Sequence, residues 1–403
     1  MTLLGLVTFT DELRPHLKHT LEQFIQNGIN IKVISGDNPQ TVAALARQAG
    51  LTGDLSFVSG PELTGMSEAE FRQAALENTI FGRITPDQKE PLVEALRVQG
   101  HYVAMIGDGV NDVLSLKKAD MGIAMESGSS ATRSVADMVL LGDSFEALPA
   151  AFNEGQRIIN GMKDILRLFM TRVLYSTLLI IGISIIDLGF PIEPKHNLLI
   201  VFLSVAVPTL ALALWSRPGV LSQRSMLREI AHFVIPAAVS IFVLGMFIYV
   251  LAFAFATLNT IEMSPENVAA YTTYVGINYD IAGPDHFAIE VATLFAQSAL
   301  TTFLIWAGLL LVIFVEPPIS WFTGGDDLSG DWRPTLIALV MFLVFGLIVV
   351  VEPLRSFFEL QELGLDGYGL VALITAVWVL ILRLAWRANW MERLLDLRVS
   401  VSR

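Results

Sequence analysis

The hexapeptide Gly107-Asp108-Gly109-Val110-Asn111-Asp112 decides how the first third of this sequence is interpreted. It follows an apolar run at residues 101–106, and its glycines allow a sharp turn and close approach of a ligand. Asp108 and Asp112 lie four residues apart across this predicted strand-to-helix turn. Mg²⁺ binds few protein carboxylates together with phosphate oxygens and water. We therefore interpret both aspartates as magnesium ligands and Asn111 as a hydrogen-bond donor to a phosphate oxygen. The alternative is a loop in which an aspartate caps a helix.

Strands and helices alternate on both sides of this turn. Short apolar runs predict strands at 3–9, 29–35, 101–106, 121–125 and 138–141, and helical spacing predicts helices at 15–27, 39–50 and 86–100. This alternation predicts an α/β domain whose parallel, Rossmann-like sheet is covered by helices on both faces. Ligands of such sheets bind beyond the carboxyl ends of the strands. Ser35-Gly36-Asp37 and Gly107-Asp108-Gly109 both lie at such ends.

Two further residues have side chains suited to phosphate. The Ser35 hydroxyl, with backbone N–H groups at a helix start, can hold a phosphoryl group, although an ordinary turn is an equally good reading of Ser35 alone. Lys89, one turn into a predicted helix, can neutralise phosphoryl charge, although a surface lysine is the simpler reading of Lys89 alone. The sequence contains the hydroxyl, the lysine and the paired aspartates in this order. Together they indicate a phosphate site far more specifically than any one of them does.

This set resembles the haloacid dehalogenase-like superfamily, and more narrowly the phosphorylation domain of P-type ATPases. The resemblance extends over residues 5–142 and rests on Asp11-Glu12-Leu13-Arg14-Pro15, Ser35-Gly36-Asp37-Asn38, Thr85-Pro86-Asp87-Gln88-Lys89, Gly107 to Asp112, Ala119-Asp120-Met121-Gly122-Ile123-Ala124-Met125 and Ala136-Asp137. Ser35 stands where the family usually has threonine.

The resemblance implies roles for individual residues. Ser35, Gly36 and Lys89 would surround an aspartyl phosphate, and Asp108 would bind Mg²⁺ with support from Asp112 and Asn111. Asp37 would lie near the nucleotide. Asp11 and Arg14 would lie at the hinge to a nucleotide-binding domain. The implied cofactors are therefore Mg²⁺ and ATP.

The family's phosphorylated aspartate lies in an Asp-Lys-Thr-Gly-Thr motif that this sequence lacks. Its actuator loop, nucleotide-binding domain and first four membrane helices are also missing, so we expect the chain alone to be inactive and to need an N-terminal half. One alternative is a non-catalytic membrane remnant or regulator. Another is a membrane-anchored phosphatase using Asp11, but Leu13 stands where such enzymes usually carry a second aspartate.

Composition predicts that the rest of the chain lies in a membrane. Hydrophobic residues make up 53% and charged residues 16% of the 403 residues, against about 25% charged in soluble proteins. We predict a partial phosphorylation domain at 1–153, a stalk at 154–164 and a membrane domain at 165–403. About 20 apolar residues span a bilayer, and six stretches qualify: 165–187, 197–215, 231–257, 287–315, 335–352 and 367–386.

The distribution of charge predicts how the chain is oriented in the membrane and which kinds of partner are disfavoured. Basic residues occur in the loop after the second span and at the C-terminus, whereas the loop at 258–286 is acidic. This distribution predicts that the soluble domain lies in the cytoplasm. The acidic loop at 316–334 is weak contrary evidence. We expect the plasma membrane of a prokaryote. The net charge of −13 without a basic tract disfavours nucleic acid, and the lack of cysteine excludes disulfides and thiolate metal sites.

Polar groups inside a membrane are costly and often functional. Pro208 interrupts helical hydrogen bonding and could free a carbonyl near Ser204 as a ligand. Ca²⁺ is one candidate for the transported cation, but neither of the first two spans has a central carboxylate, which argues against a highly charged calcium site. The candidate ligands are Tyr175, Ser176, Asn197, Ser204, Pro208 and Gln297.

Overall fold

The computed structural model describes residues 13–14, 16–53, 55–219, 226–260, 268, 271–272, 283–324, 328–388 and 390. The chain divides into two compact units, Met1–Gly155 and Gln156–Arg403. The predicted strand at 3–9 and the candidate nucleotide contact Asp11 lie outside the described residues.

The first unit is an α/β domain in which all described strands pair in parallel. Two three-stranded sheets form, with the orders β1–β3–β2 and β4–β5–β6. The strands β1 to β6 are Val33–Ile34, Phe57–Ser59, Ile80–Gly82, Ala104–Gly107, Met121–Met125 and Met138–Leu140. The helices α1 to α7 are Leu17–Gln26, Pro39–Gln48, Gly60–Thr64, Glu68–Glu77, Pro86–Val98, Val113–Lys118 and Ser130–Val135.

Parallel pairing confirms the predicted fold class, but two strands were not predicted. β2 and β3 have three residues each and follow polar segments, so neither produces the apolar run that marks a buried strand. β3 is nevertheless the centre of its sheet, and Ile80 and Phe81 are almost fully buried. In the described part of the chain, β1 and β4 are edge strands, and both predicted phosphate loops begin at their carboxyl ends.

Six described helices are long and apolar enough to cross a membrane, and they belong to the second unit except for residues 147–155 of the first helix. We number them spans 1 to 6: Ala147–Ile186, Pro194–Trp215, Met226–Leu258, Asp285–Val315, Arg333–Val350 and Gly364–Arg387. Together with the composition they identify an integral, multi-pass membrane protein. The segment predicted as a stalk belongs to span 1, a single helix of 40 residues that begins at Ala147.

Span 4 is the central helix of this bundle, since 83% of its most apolar window is buried, against 44% or less in the other five spans. Small residues allow its close packing, as expected for helices in lipid. A Cβ at Gly308 would lie only 2.6 Å from the Cβ of Ser204 in span 2. Span 2 is itself irregular, because residues Phe202–Ala206 form a π-helical turn immediately before Val207 and Pro208.

Asp331 joins two connections at one end of the bundle. Its carboxylate lies 3.0 Å from the guanidinium of Arg217, after span 2, and 2.6 Å from that of Arg333, which begins span 5. Asp331 is only 5% exposed. The hydrogen bonds from Arg333, helped by the charge of Arg217, hold the pKa of Asp331 below its usual value. These contacts put the loops after spans 2 and 4 at the same end of the bundle.

Replacing Asp331 with asparagine is therefore expected to destabilise the chain by about 2 kcal/mol, the scale of a hydrogen bond to a charged group. A carboxylate with a lowered pKa stabilises the folded state above its unfolded pKa, near 4, and loses this contribution as the pH falls. The difference between wild type and Asp331→Asn should be constant at neutral pH and shrink below about pH 4. Thermal unfolding in detergent at several pH values measures it.

Asp366→Asn is the matched control, because Asp366 is an exposed aspartate in the first turn of span 6. Its replacement should change stability by less than about 1 kcal/mol. Equal effects of the two substitutions at neutral pH would contradict the role assigned to Asp331.

Candidate functional site

The structure brings Lys89 and Asp112 into direct contact. The Nζ of Lys89, in the first turn of α5, lies 2.7 Å from Oδ1 of Asp112, and the two side chains are only 18% and 7% exposed. The other carboxylate oxygen of Asp112 accepts a hydrogen bond from the N–H of Gly109 at 3.2 Å. Lys89 is therefore not a solvated surface lysine, and Asp112 orients the glycine turn after β4.

Gly107 is required by this arrangement. A Cβ at position 107 would lie 2.5 Å from the Cβ of Asp112, so any side chain there would displace the carboxylate that pairs with Lys89. The turn then leads into Val110–Asp112 and helix α6. Asp108 and Asn111 are both exposed at the surface of this turn, where a phosphate or a cation can reach them.

Three residues that sequence reasoning missed bind or pack against the backbone of Asp108 and Gly109. The N–H of Ser129 donates to the Asp108 carbonyl at 2.8 Å, and the fully buried Thr132 hydroxyl donates to the Gly109 carbonyl at 3.0 Å. Gly128 packs so closely that a Cβ would lie 2.7 Å from the Asp108 carbonyl oxygen. The pattern Ser129-x-x-Thr132 after a predicted strand was the available signal, since serine and threonine cap helices.

At the end of β1, the N–H of Asp37 donates to the hydroxyl of Ser35 at 3.1 Å, and the Ser35 hydroxyl lies 3.3 Å from the Asp37 carboxylate. Gly36 and Asp37 are exposed. The loop is fastened to the end of β3, because the N–H of Ile84 donates to the Ser35 carbonyl and that of Arg83 to the Asp37 carbonyl. These bonds align the Ser35 loop with the segment that leads to Lys89.

Arg14 lies elsewhere in the first unit. Its guanidinium donates to the backbone carbonyl of Asp143 and lies 5.7 Å from the centre of the Phe145 ring. The carboxylate of Asp143 in turn accepts a hydrogen bond from the backbone N–H of Ser127. Hydrogen bonding to the Ser127 side chain, and then to its backbone, lowers the pKa of Asp143. The place of Arg14 at a hinge remains a prediction.

The donor set at the turn suits magnesium better than a protein-only metal site. No group of three or more histidine, aspartate or glutamate side chains arranged to hold a metal occurs among the described residues. Mg²⁺ characteristically keeps waters and uses one or two carboxylates plus substrate phosphates. The exposed carboxylate of Asp108, supported by Asp112, fits that requirement.

The candidate ion ligands in the second unit separate into two groups. Tyr175, Ser204, Pro208 and Gln297 are buried within the helical bundle. Asn197 is exposed, and its side-chain carbonyl accepts a hydrogen bond from Arg172 at 2.7 Å; Ser176 is half-buried. Ser204 lies within the π-helical turn Phe202–Ala206, and its hydroxyl donates to the Ile200 carbonyl at 2.7 Å.

Gln297 of span 4 contacts the connection between spans 1 and 2. Its Nε2 lies 2.7 Å from the carbonyl oxygen of Phe190 and 3.3 Å from Oε1 of Glu193, whereas its own Oε1 is buried without a hydrogen-bond partner. Sequence reasoning missed Glu193, because a carboxylate just before an apolar span reads as a loop residue.

Comparison with known proteins finds one matching family model and several relatives. A family model for haloacid dehalogenase-like hydrolases matches residues 2–120. The chain is 34% identical over 279 residues to the calcium-transporting ATPase CtpE of Mycolicibacterium smegmatis, an alignment covering 67% of this chain and 35% of that protein. It is 39% identical to CtpE of Mycobacterium bovis, covering 53% and 28%, and 34% identical to human calcium-transporting ATPase type 2C member 1, covering 51% and 22%. The alignments thus cover at most 35% of the length of these relatives.

Proposed function

We propose that this chain, which is homologous to part of the P-type cation-transporting ATPases, forms the C-terminal portion of a pump that couples ATP hydrolysis to cation transport. The observation that carries the proposal is the buried ion pair between Lys89 and Asp112, held beneath the exposed Asp108 turn. The six helices that follow supply the membrane part.

In the proposed reaction, an aspartate from the remainder of the pump attacks the γ-phosphorus of ATP, and the bond to the leaving ADP oxygen breaks. Lys89 neutralises charge on the transferred phosphoryl group, and the Ser35 hydroxyl and Gly36 N–H donate to its oxygens. Asp112 keeps Lys89 and the Gly109 turn in place. Bound Mg²⁺, held by Asp108 with Asp112 and Asn111 in support, would offset phosphate charge.

The remainder of the pump must supply the nucleophile, because the Asp-Lys-Thr-Gly-Thr motif is absent from this sequence. That remainder, on the same or a separate polypeptide, would also bring the nucleotide-binding part, for which Asp11, Arg14 and Asp37 are the proposed contacts. Strands β1 and β4 end at the proposed site and are edge strands in the described part of the chain. Edge strands present unpaired N–H and C=O groups that can accept a further strand.

For the membrane part, we propose that the soluble unit faces the cytoplasm of a prokaryotic cell and that the cation crosses near span 2. The π-helical turn at Phe202–Ala206 supports this, since such turns frequently occur at functional sites. Ser204, Pro208 and Tyr175 are the buried candidates beside the path. The relatives transport calcium by their names, and Ca²⁺ is the cation we would test first.

The test is formation of an acyl phosphate. The chain in proteoliposomes with Mg²⁺ and γ-labelled ATP should give no hydroxylamine-sensitive label, whereas co-expression with an N-terminal half carrying the Asp-Lys-Thr-Gly-Thr motif should produce one on that half. A label on this chain alone, lost in Asp11→Asn, would instead favour the membrane-anchored phosphatase. No label with any N-terminal half would favour a non-catalytic remnant.

A further inference from the structure

Two arginines near the end of span 6 have no anionic partner. Arg383 and Arg387 lie four residues apart in the last two turns of the span, so their side chains lie on one side of the helix. In the described part of the chain neither makes an ion pair, and Nε of Arg383 is buried without a hydrogen-bond partner. A partly buried charge without a counter-ion is costly. An anion from outside the chain would remove that cost.

An exposed tryptophan ring positions the first of these arginines. The guanidinium carbon of Arg383 lies 4.6 Å from the centre of the Trp321 ring. Trp321 is itself held by Phe322, at 4.7 Å between ring centres, and Phe322 packs on the buried Phe314 of span 4 at 5.3 Å. Stacking uses the flat face of a guanidinium. The in-plane N–H groups of its two terminal nitrogens are then directed past the ring, towards an acceptor.

The surroundings of the pair are those of a membrane interface. Trp321 belongs to the connection after span 4, as Asp331 does, so the pair lies at the Asp331 end of the bundle. The apolar side chains of Leu380 and Leu384, on the neighbouring turns of span 6, are exposed. Tryptophan is enriched where the apolar surface of a membrane protein meets the headgroups. The arginines therefore lie at headgroup level, with hydrocarbon on one side and water on the other.

We propose that Arg383, Arg387 and Trp321 bind the phosphate group of an anionic phospholipid. Guanidinium groups pair with phosphate oxygens through two parallel hydrogen bonds, and two arginines one turn apart offer two such forks. Basic pockets between membrane helices hold anionic headgroups in this way. The acyl chains would lie along Leu380 and Leu384, which favours a lipid over a free phosphate ion.

The site opens to the bilayer and needs no cavity. A zwitterionic headgroup carries a cation of its own, which two arginines repel, so the site should select net negative lipids. The cytoplasmic leaflet follows from the proposed orientation of the chain, whereas the binding itself is independent of the proposed function.

The experiment measures which lipids the full chain retains when mild detergent extracts it from vesicles of equal parts phosphatidylglycerol and phosphatidylcholine. Mass spectrometry of the bound lipid gives the ratio of the two. Wild type should retain phosphatidylglycerol in excess. Arg383→Gln should lower the ratio about 5-fold, the effect of one basic residue near an anionic membrane surface. Arg383→Lys should lower it less, because the charge remains while the planar fork is lost.

Arg228→Gln is the matched control, because Arg228 is an exposed arginine in the first turn of span 3, at the same end of the bundle. Lipid attracted only by general surface charge exchanges away in detergent, so this variant should keep the wild-type ratio. Because both lipids are counted in one sample, a misfolded variant loses both and does not imitate a lowered ratio.

Equal ratios in wild type and Arg383→Gln would overturn the proposal, and so would the same loss in Arg228→Gln. Displacement of the retained phosphatidylglycerol by excess inorganic phosphate would also overturn it, because the ligand would then be a free phosphate ion. The measurement uses no ATP, so its outcome is separate from that of the pump proposal.

Discussion

Replacing Asp108 with asparagine is expected to reduce phosphoenzyme formation about 10²–10³-fold in a pump assembled from this chain and an N-terminal half. Removing one charged or donor group from a preorganised site usually has an effect of this size. Asp108 is exposed, and its backbone, rather than its carboxylate, makes the contacts with Ser129 and Gly128. The substitution should therefore leave folding unchanged and affect only the binding of Mg²⁺ and phosphate.

Asp87→Asn is the matched control, because Asp87 is an exposed aspartate in the first turn of α5, two residues from Lys89. Its label should equal that of wild type. Raising Mg²⁺ should partly restore Asp108→Asn if the carboxylate serves to hold the metal. Equal labelling of Asp108→Asn and wild type at low Mg²⁺ would rule out Asp108 as the ligand.

The residues of the proposed phosphate site could be selected from the sequence because they lie in short contiguous segments. The Gly107–Asp112 turn and Ser35 could each be placed at the carboxyl end of a predicted strand from local pattern alone, and Lys89 could be placed in the first turn of a predicted helix. Thr132 and Gly128 could not, because they act through the backbone of Asp108, on a neighbouring strand-to-helix connection. Such contacts depend on how the strands are ordered in the sheet, which a local pattern does not specify.

Prediction of the membrane unit from its sequence has the same limit. The six spans follow from apolar length, and their existence was predicted correctly. The irregular turn in span 2 was anticipated in part, because proline removes a helical hydrogen bond and the π-helical turn ends just before Pro208. The contact of Gln297 with Glu193 joins positions 104 residues apart. No periodicity in either segment indicates that pairing, so Glu193 was missed.

Replacing Lys89 with methionine should lower the stability of the chain more than replacing any exposed lysine of the first unit. Lys89→Met leaves Asp112, whose side chain is 7% exposed, without its ion-pair partner, and loss of one partner of a buried pair costs about 3 kcal/mol. In an Asp112→Asn background the same change should cost less than about 1 kcal/mol, since the pair is already broken. Lys118→Met, which breaks a surface pair with Glu94, should cost about 0–1 kcal/mol.

Lys89→Arg then separates a catalytic role from a structural one. Arginine retains the positive charge and can pair with Asp112, so stability should stay within about 1 kcal/mol of wild type. Its planar guanidinium cannot place a compact charge as an ammonium does, so phosphoenzyme formation in the assembled pump should fall at least about 10-fold. If Lys89 only held Asp112 in place, labelling would follow stability in every variant, and Lys89→Arg would be as active as wild type. Unfolding and acid-gel labelling of the same preparations therefore decide whether this ion pair is part of the phosphoryl-transfer site.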